Sequence, residues 1–333
     1  MSDADRIAGW LIERARVEGA APFSLLGRFL KRYAGTTLIE SVRGRMQQGK
    51  YGECLVIEHA ISHELPLPSQ ENAEKAFLAE LRLLFGVGCA HEKQLHEEGY
   101  TSIRSLLGHP RWSKAAQALL QDWGQPLNPD RVQAALSHWL PASHSLFRQL
   151  LGLVRREEIL FFDLETLGLG GAPIILAALA RLTQAGIQIT QYLARSLDEE
   201  IALLEQIDRE MANTSLLISY NGKSFDWPYL RERIAYYGLG LNQTAICHID
   251  LLHHARRAFH DCLPNMHLGT IEKLLGVQRE EDLPSEAVPE FYSTYLETGN
   301  PGPLVPIVNH NRQDVESLVI LLARLLGYSD DAR

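Results

Sequence analysis

The segment Ile159-Leu160-Phe161-Phe162-Asp163-Leu164-Glu165-Thr166 is apolar enough to be a buried strand, yet it carries two carboxylates two residues apart. Side chains on a strand alternate between faces, so Ile159, Phe161, Asp163 and Glu165 share one side while Leu160, Phe162 and Leu164 share the other. Two acids that point the same way beside apolar packing repel each other and lose hydration. A hard divalent cation held between them relieves both costs, so a metal site is the reading that follows. For the pair taken alone, a strand end with solvated carboxylates is the favoured reading, and the metal site gains from what lies downstream.

Two further acidic settings lie downstream. A β-like run at 216–220 meets the turn Asn221-Gly222-Lys223 and then Ser224-Phe225-Asp226-Trp227-Pro228, where a helix is expected to start. Asp226 is expected there as N-cap, as metal ligand, or as both. Near the end, residues 309–322 have the apolar spacing of an amphipathic helix. His310 and Asp314 are four apart and so share a face, where an imidazole beside a metal-bound carboxylate could take a proton from water. An ordinary exposed His and Asp is the plainer reading of that pair.

In this order, the three settings make residues 155–328 resemble the DEDD group of exonucleases in the ribonuclease H-like superfamily, and within it the YprB-like predicted exonuclease branch. The first motif is similar to Phe162-Asp163-Leu164-Glu165-Thr166-Leu167-Gly168-Leu169 and the second to Tyr220-Asn221-Gly222-Lys223-Ser224-Phe225-Asp226. The later signature is similar to His248-Ile249-Asp250-Leu251-Leu252, then Leu268-Gly269-Thr270-Ile271-Glu272, then His310-Asn311-Arg312-Gln313-Asp314. The subclasses differ in placing a His five residues, or a Tyr four residues, before the last Asp. Here His310 stands four before Asp314 and Asn309 stands five before it, so the chain combines one subclass's residue with the other's spacing.

The resemblance implies an α/β fold, a ribonuclease H-like mixed sheet flanked by helices. It implies a nuclease, a 3′-5′ exonuclease on DNA or RNA, using two Mg2+ or Mn2+ ions about 4 Å apart. Asp163 would bridge both ions, Glu165 and Asp314 would complete the site of the water-activating ion, and Asp226 would hold the second. His310 would position or deprotonate the attacking water. Asn221, Lys223 and the pair Arg256-Arg257 are candidate substrate contacts, and Asp250 is expected to cap the helix after it. The alternative is a noncatalytic nucleic-acid-binding or scaffold protein that keeps the fold.

Composition weighs against a nucleic-acid partner, because the formal net charge is -9. Its distribution softens the objection. Residues 1–158 carry 19 Lys+Arg against 18 Asp+Glu, a balance of +1, whereas residues 159–333 carry 13 against 23, a balance of -10. Four of those acids are the proposed ligands, which divalent ions would neutralise. The four cysteines form no CxxC pair, which favours reduced thiols in a cytoplasmic setting. Neither a secretory signal nor a membrane span is expected.

A boundary is expected within 139–158, separating a mainly helical accessory domain at 1–150 from the catalytic one. Helices are expected over 23–33 and 73–85, and a short strand over 53–59. Strands should follow at 174–181 and 187–195, then a helix at 197–211. The run Phe85-Gly86-Val87-Gly88-Cys89 with its flanks resembles a helix-hairpin-helix element, in which the Gly86 and Gly88 turn and the following helix N-terminus could bind phosphate. A helix-helix turn without a ligand is the alternative.

Overall fold

A computed structural model describes residues 21–240, 246–279 and 283–327 of the chain. Residues 1–20, where no secretory signal is expected, lie outside that range. Among the described residues, no helix is long and apolar enough to cross a membrane.

Seven strands form one sheet: β1 (Arg45–Gly49), β2 (Gly52–Ile61), β3 (Ile159–Thr166), β4 (Ile174–Thr183), β5 (Gly186–Leu193), β6 (Leu216–Ser219) and β7 (Cys247–Asp250). Their order is β1-β2-β5-β4-β3-β6-β7. Pairing is antiparallel from β1 to β3 and parallel from β3 through β6 to β7, so the sheet is mixed, as the ribonuclease H-like expectation requires. The β4–β5 hairpin closes beside β2. A Cβ at Gly186 would lie 2.8 Å from the Ile61 carbonyl oxygen, and φ there is +137°, so only glycine fits.

The helices are α1 (Ala21–Arg32), α2 (Leu38–Val42), α3 (Gln70–Ala79), α4 (Cys89–Glu97), α5 (Ser113–Trp123), α6 (Pro129–Trp139), α7 (Leu146–Gln149), α8 (Glu200–Met211), α9 (Asp226–Tyr236), α10 (Leu251–Phe259), α11 (Leu268–Leu275), α12 (Val288–Thr298) and α13 (Leu304–Leu326). Strand β2 contains the expected apolar run at 53–59 and pairs with β5 from Leu55 to Ile61, so β1 and β2 lie within the same sheet as the acidic strand. The helical layer is formed by residues 70–152. The single helix expected over 73–85 instead stops at Ala79 and resumes as a 3-10 turn at Leu81–Leu83. The Glu80 carboxylate accepts from the Arg82 backbone N–H and pairs with its side chain, a local bond that competes with the helix.

Alternation along β3 divides the core as expected. Ile159 and Phe161 pack with Val315 and Leu318 of α13, Ala255 of α10 and the helical layer. Leu160, Phe162 and Leu164 pack on the opposite face with Leu203 and Ile207 of α8 and Leu230 of α9. A third cluster seats α1 against α12 and the first half of α13. The helical layer also covers the free edge of β7: the His248 N–H donates to Gln133 Oε1 of α6 at 2.8 Å.

Candidate metal centre

Asp163 and Glu165 emerge on the face of β3 that α13 crosses. The register shifts between Glu165 and Thr166, which bends the strand end where the second acid sits. Asn311 of α13, fully buried, donates from Nδ2 to Asp163 Oδ2 at 2.8 Å. Its own Oδ1 accepts from Gln191 Nε2 at 3.0 Å, and Gln191 is likewise fully buried. Asn311 is thus oriented from behind and fixes one oxygen of Asp163. One turn along the same helix, Asp314 Oδ2 lies 3.4 Å from His310 Nε2, which is 4.0 Å from Glu165 Oε1. Ligand atoms of Glu165, His310 and Asp314 all fall within 4.8 Å of one another.

Asp226 arrives from the β6–α9 turn. It is not the N-cap: Phe225 holds that position and Asp226 is the first helical residue. Its Oδ1 accepts from the Leu164 backbone N–H at 3.2 Å, so the side chain reaches across to the acidic strand between the two strand acids. Close approach of the turn makes this reach possible. A Cβ at Gly222 would stand 2.4 Å from Ser219 Oγ and 3.2 Å from Asp226 Oδ2. Gly222→Ala is therefore expected to displace the Asp226 carboxylate and to destabilise the fold by about 1–3 kcal/mol, read from urea unfolding. Parent stability in that variant would show that the turn has room the structure does not give it.

Burial is the first cause that raises the pKa of all four carboxyls. For Asp163 and Glu165 the neighbouring Asp314 and Asp226 add to it, and both are driven well above the usual carboxylate range. Asp226 is pushed up to about 7, with backbone N–H donors at its own position and at Leu164 acting against the rise. Asp314 rises least freely, because His310 and the Arg279 guanidinium favour its charge. Like charges gathered in this way exceed the counter-charge that Arg279 supplies, and hard oxygen donors in such a cluster suit a divalent cation.

Among the described residues, Arg279 is the one guanidinium that touches this cluster. It hydrogen-bonds Asp314 Oδ1, and it forms a two-point pair with Glu272 of α11 at 2.6 and 2.8 Å. Glu272 is buried and accepts also from Ser317 Oγ at 2.5 Å. With Glu272 to satisfy, Arg279 cannot neutralise the carboxylate set as well. Its Nη1 lies 2.7 Å from His310 Nδ1. Arginine only donates, which assigns Nδ1 as acceptor and puts the proton of a neutral His310 on Nε2, facing Asp314 and Glu165.

Asp250 does cap α10, its side chain accepting from the Leu252 N–H at 3.1 Å. It also accepts from the N–H groups of Asn221 at 2.8 Å and Lys223 at 3.2 Å, so both oxygens serve the backbone. Asn221 is exposed and has φ +62°, the left-handed conformation that lets the turn present these donors. The Lys223 ammonium lies 5.9 Å from the Phe147 ring centroid of α7, and burial lowers its pKa. Gly86 and Gly88 lie in the helical layer, not among the carboxylates. Gly86 has φ +81° and abuts Trp112, and Gly88 precedes α4, which has no side-chain cap.

Sequence reasoning missed Arg279, Glu272, Gln191 and the role of Asn311. Asn311 and Glu272 fall inside recognisable motifs, where a polar residue at a core position of a helix was the available signal. Arg279 follows α11 in an irregular stretch and offers none.

A sequence model of the RNase_H superfamily matches residues 160–326, half of the chain. The uncharacterized protein YprB of Bacillus subtilis (strain 168) is 35% identical over 194 residues, which cover 57% of this chain and 45% of that protein. The chain therefore spans less than half the length of this relative. Among solved structures, the family B DNA polymerase of the hyperthermophilic archaeon Pyrobaculum calidifontis is similar over 50% of this chain and 24% of its own, with 21% identity and a TM-score of 0.41.

Proposed function

The chain belongs to the RNase_H superfamily, and from the carboxylates gathered where β3, α9 and α13 meet we propose that it is a metal-dependent nuclease, a 3′-5′ exonuclease on DNA or RNA. The observation that carries the reading is four acids from three separate elements, Glu165 and Asp226 buried and Asp163 and Asp314 half-buried, with a single guanidinium as their only full counter-charge among the described residues. Asp163, Glu165, Asp226 and Asp314 would hold two Mg2+ or Mn2+ ions, Asp163 serving both. When bound, these ions activate water and neutralise charge on the phosphate during in-line displacement.

The chain's own part is positioning. Asn311 and Gln191 fix the Asp163 carboxylate, and the Leu164 N–H fixes that of Asp226, so little reorganisation is left for the reaction step. His310 presents Nε2–H toward the centre, where it orients the attacking water as a donor. In this reading Asn221 and Lys223 border the substrate path. The uncapped start of α4 behind Gly86 and Gly88 offers backbone N–H groups to a phosphate farther along the strand.

The test is incubation of the purified chain with end-labelled single- and double-stranded DNA and RNA. Shortening from the 3′ end that needs Mg2+ or Mn2+ is expected, and EDTA-resistant cleavage would reject the reading. His310→Ala is expected to slow single-turnover cleavage about 10²-fold while changing strand affinity little, because its contact is with water in the chemical step. Parent rates across neutral pH would remove His310 from the mechanism.

A further inference from the structure

Beside the carboxylates, a cavity of about 310 Å3 lies between the end of α1, the first half of α13 and the chain leaving α11. Arg32 and Tyr33 line it from one side, Asn309, Arg312 and Gln313 from the other. Arg279 and His310 also line it, and these same two residues touch Asp314, so the cavity shares a wall with the metal centre. We propose that this cavity is a subsite for one phosphate-bearing nucleotide of single-stranded nucleic acid, next to the bond to be cleaved; the proposal rests on the nuclease reading of the adjoining carboxylates.

Charge is the first argument. The chain is acidic, and residues 159–333 carry a balance of -10, yet the described residues lining this cavity include three arginines and no acid. Arg279 is held by Glu272 and Asp314, so Arg32 and Arg312 are the cations this lining offers to an anion. The second argument is Arg312. Its Nη1 stands 3.7 Å from Glu316, but its Nε is buried without a hydrogen-bond partner among the described residues. The pairing with Glu316 is long, so the guanidinium's terminal donors keep capacity for a phosphate, whose oxygens match its planar fork.

Tyr33 supplies the third argument. Its ring is stacked on Phe29, with centroids 5.9 Å apart and planes 4° from parallel, and Phe29 is buried in the core under α12. The ring is therefore held in place, and the Arg32 guanidinium lies over it at 5.5 Å. A fixed aromatic ring beside arginines is the usual platform for an unstacked base and its phosphate. Duplex bases are already stacked on one another, so a single strand is the matching ligand. The volume is near the lower end, about 300 Å3, of small-ligand sites, which suits one nucleotide.

The test uses the full chain carrying Asp163→Asn, so that strands stay intact, with short fluorescein-labelled oligothymidylate and oligouridylate followed by anisotropy in Mg2+ over a salt series. Arg32→Ala and Arg312→Ala should each weaken binding about tenfold and reduce the salt slope by about one. Tyr33→Ala should weaken binding about tenfold with the slope unchanged. Arg32→Lys should keep the slope, and Arg28→Ala, exposed on the same helix outside the cavity, should bind as the parent does. Parent affinity and slope in both arginine-to-alanine variants, or no binding of either strand by the parent, would overturn the subsite. Cleavage by the wild-type chain is scored separately. Metal-dependent cleavage with unchanged binding in the arginine variants removes the subsite and leaves the nuclease. Arginine-dependent binding without cleavage does the reverse.

Discussion

Asp163→Asn is expected to lower hydrolysis by about 10³-fold or more and, in EDTA at pH 8, to raise the thermal midpoint of the protein. The two effects have one cause. Asn keeps the volume and can still accept from Asn311 Nδ2, which now donates to Asp163 at 2.8 Å. It removes the charge that would hold the ions, and loss of that electrostatic contribution accounts for the rate. It also removes repulsion. Because burial and then Asp314, Asp226 and Glu165 raise the Asp163 pKa, the folded chain binds protons that the unfolded chain releases. Metal-free stability therefore falls as pH rises from the ordinary carboxylate range through the raised values, a window of 3.8 to about 7 for Asp226. Midpoints in EDTA at pH 5 and pH 8 should separate widely for the parent and less for the variant. A variant less stable than the parent at pH 8 would contradict this account of the cluster.

Asp250→Ala should behave in the opposite way, costing about 3 kcal/mol of stability. Three backbone N–H groups, those of Asn221, Lys223 and Leu252, donate to this one side chain, which is 3% exposed. Removing it deprives α10 of its cap and releases the turn that carries Asp226 toward β3. Activity should fall with stability, and Mn2+ affinity measured below the unfolding transition should fall less than it does in Asp163→Asn. Urea titration and calorimetry distinguish the cases. Full stability with lost Mn2+ binding would make Asp250 a ligand instead of a fastening for the turn.

The parts of this site that were legible in the sequence are those set by short-range pattern. Alternation along Ile159–Thr166 places the two acids on one face, and four-residue spacing on α13 places His310 with Asp314. Asp226 looked like a cap because an Asp before Trp-Pro is a common helix start. The helix begins one residue earlier, which turns the carboxylate toward the Leu164 N–H. Long-range pairing was not legible. The apolar run at 53–59 marks a strand, but nothing local says that it pairs with β5, more than a hundred residues on. The same holds for Arg279, whose partners Glu272, His310 and Asp314 come from two helices, and for Gln191, a polar residue on an apolar strand whose partner lies on α13. The N-terminal basic surplus gained a definite place in part: Arg32 lines the cavity beside the metal centre.

We propose that Asp163, Glu165, Asp226 and Asp314 form a two-ion centre. Anomalous scattering from crystals of the full chain soaked in Mn2+ tests it most directly. The account predicts two peaks, each within bonding distance of Asp163 and together ligated by the other three carboxylates, with Arg279 withdrawn from Asp314. Crystals with no manganese among these four side chains, and with Arg279 still bound to Asp314 at saturating Mn2+, would contradict it.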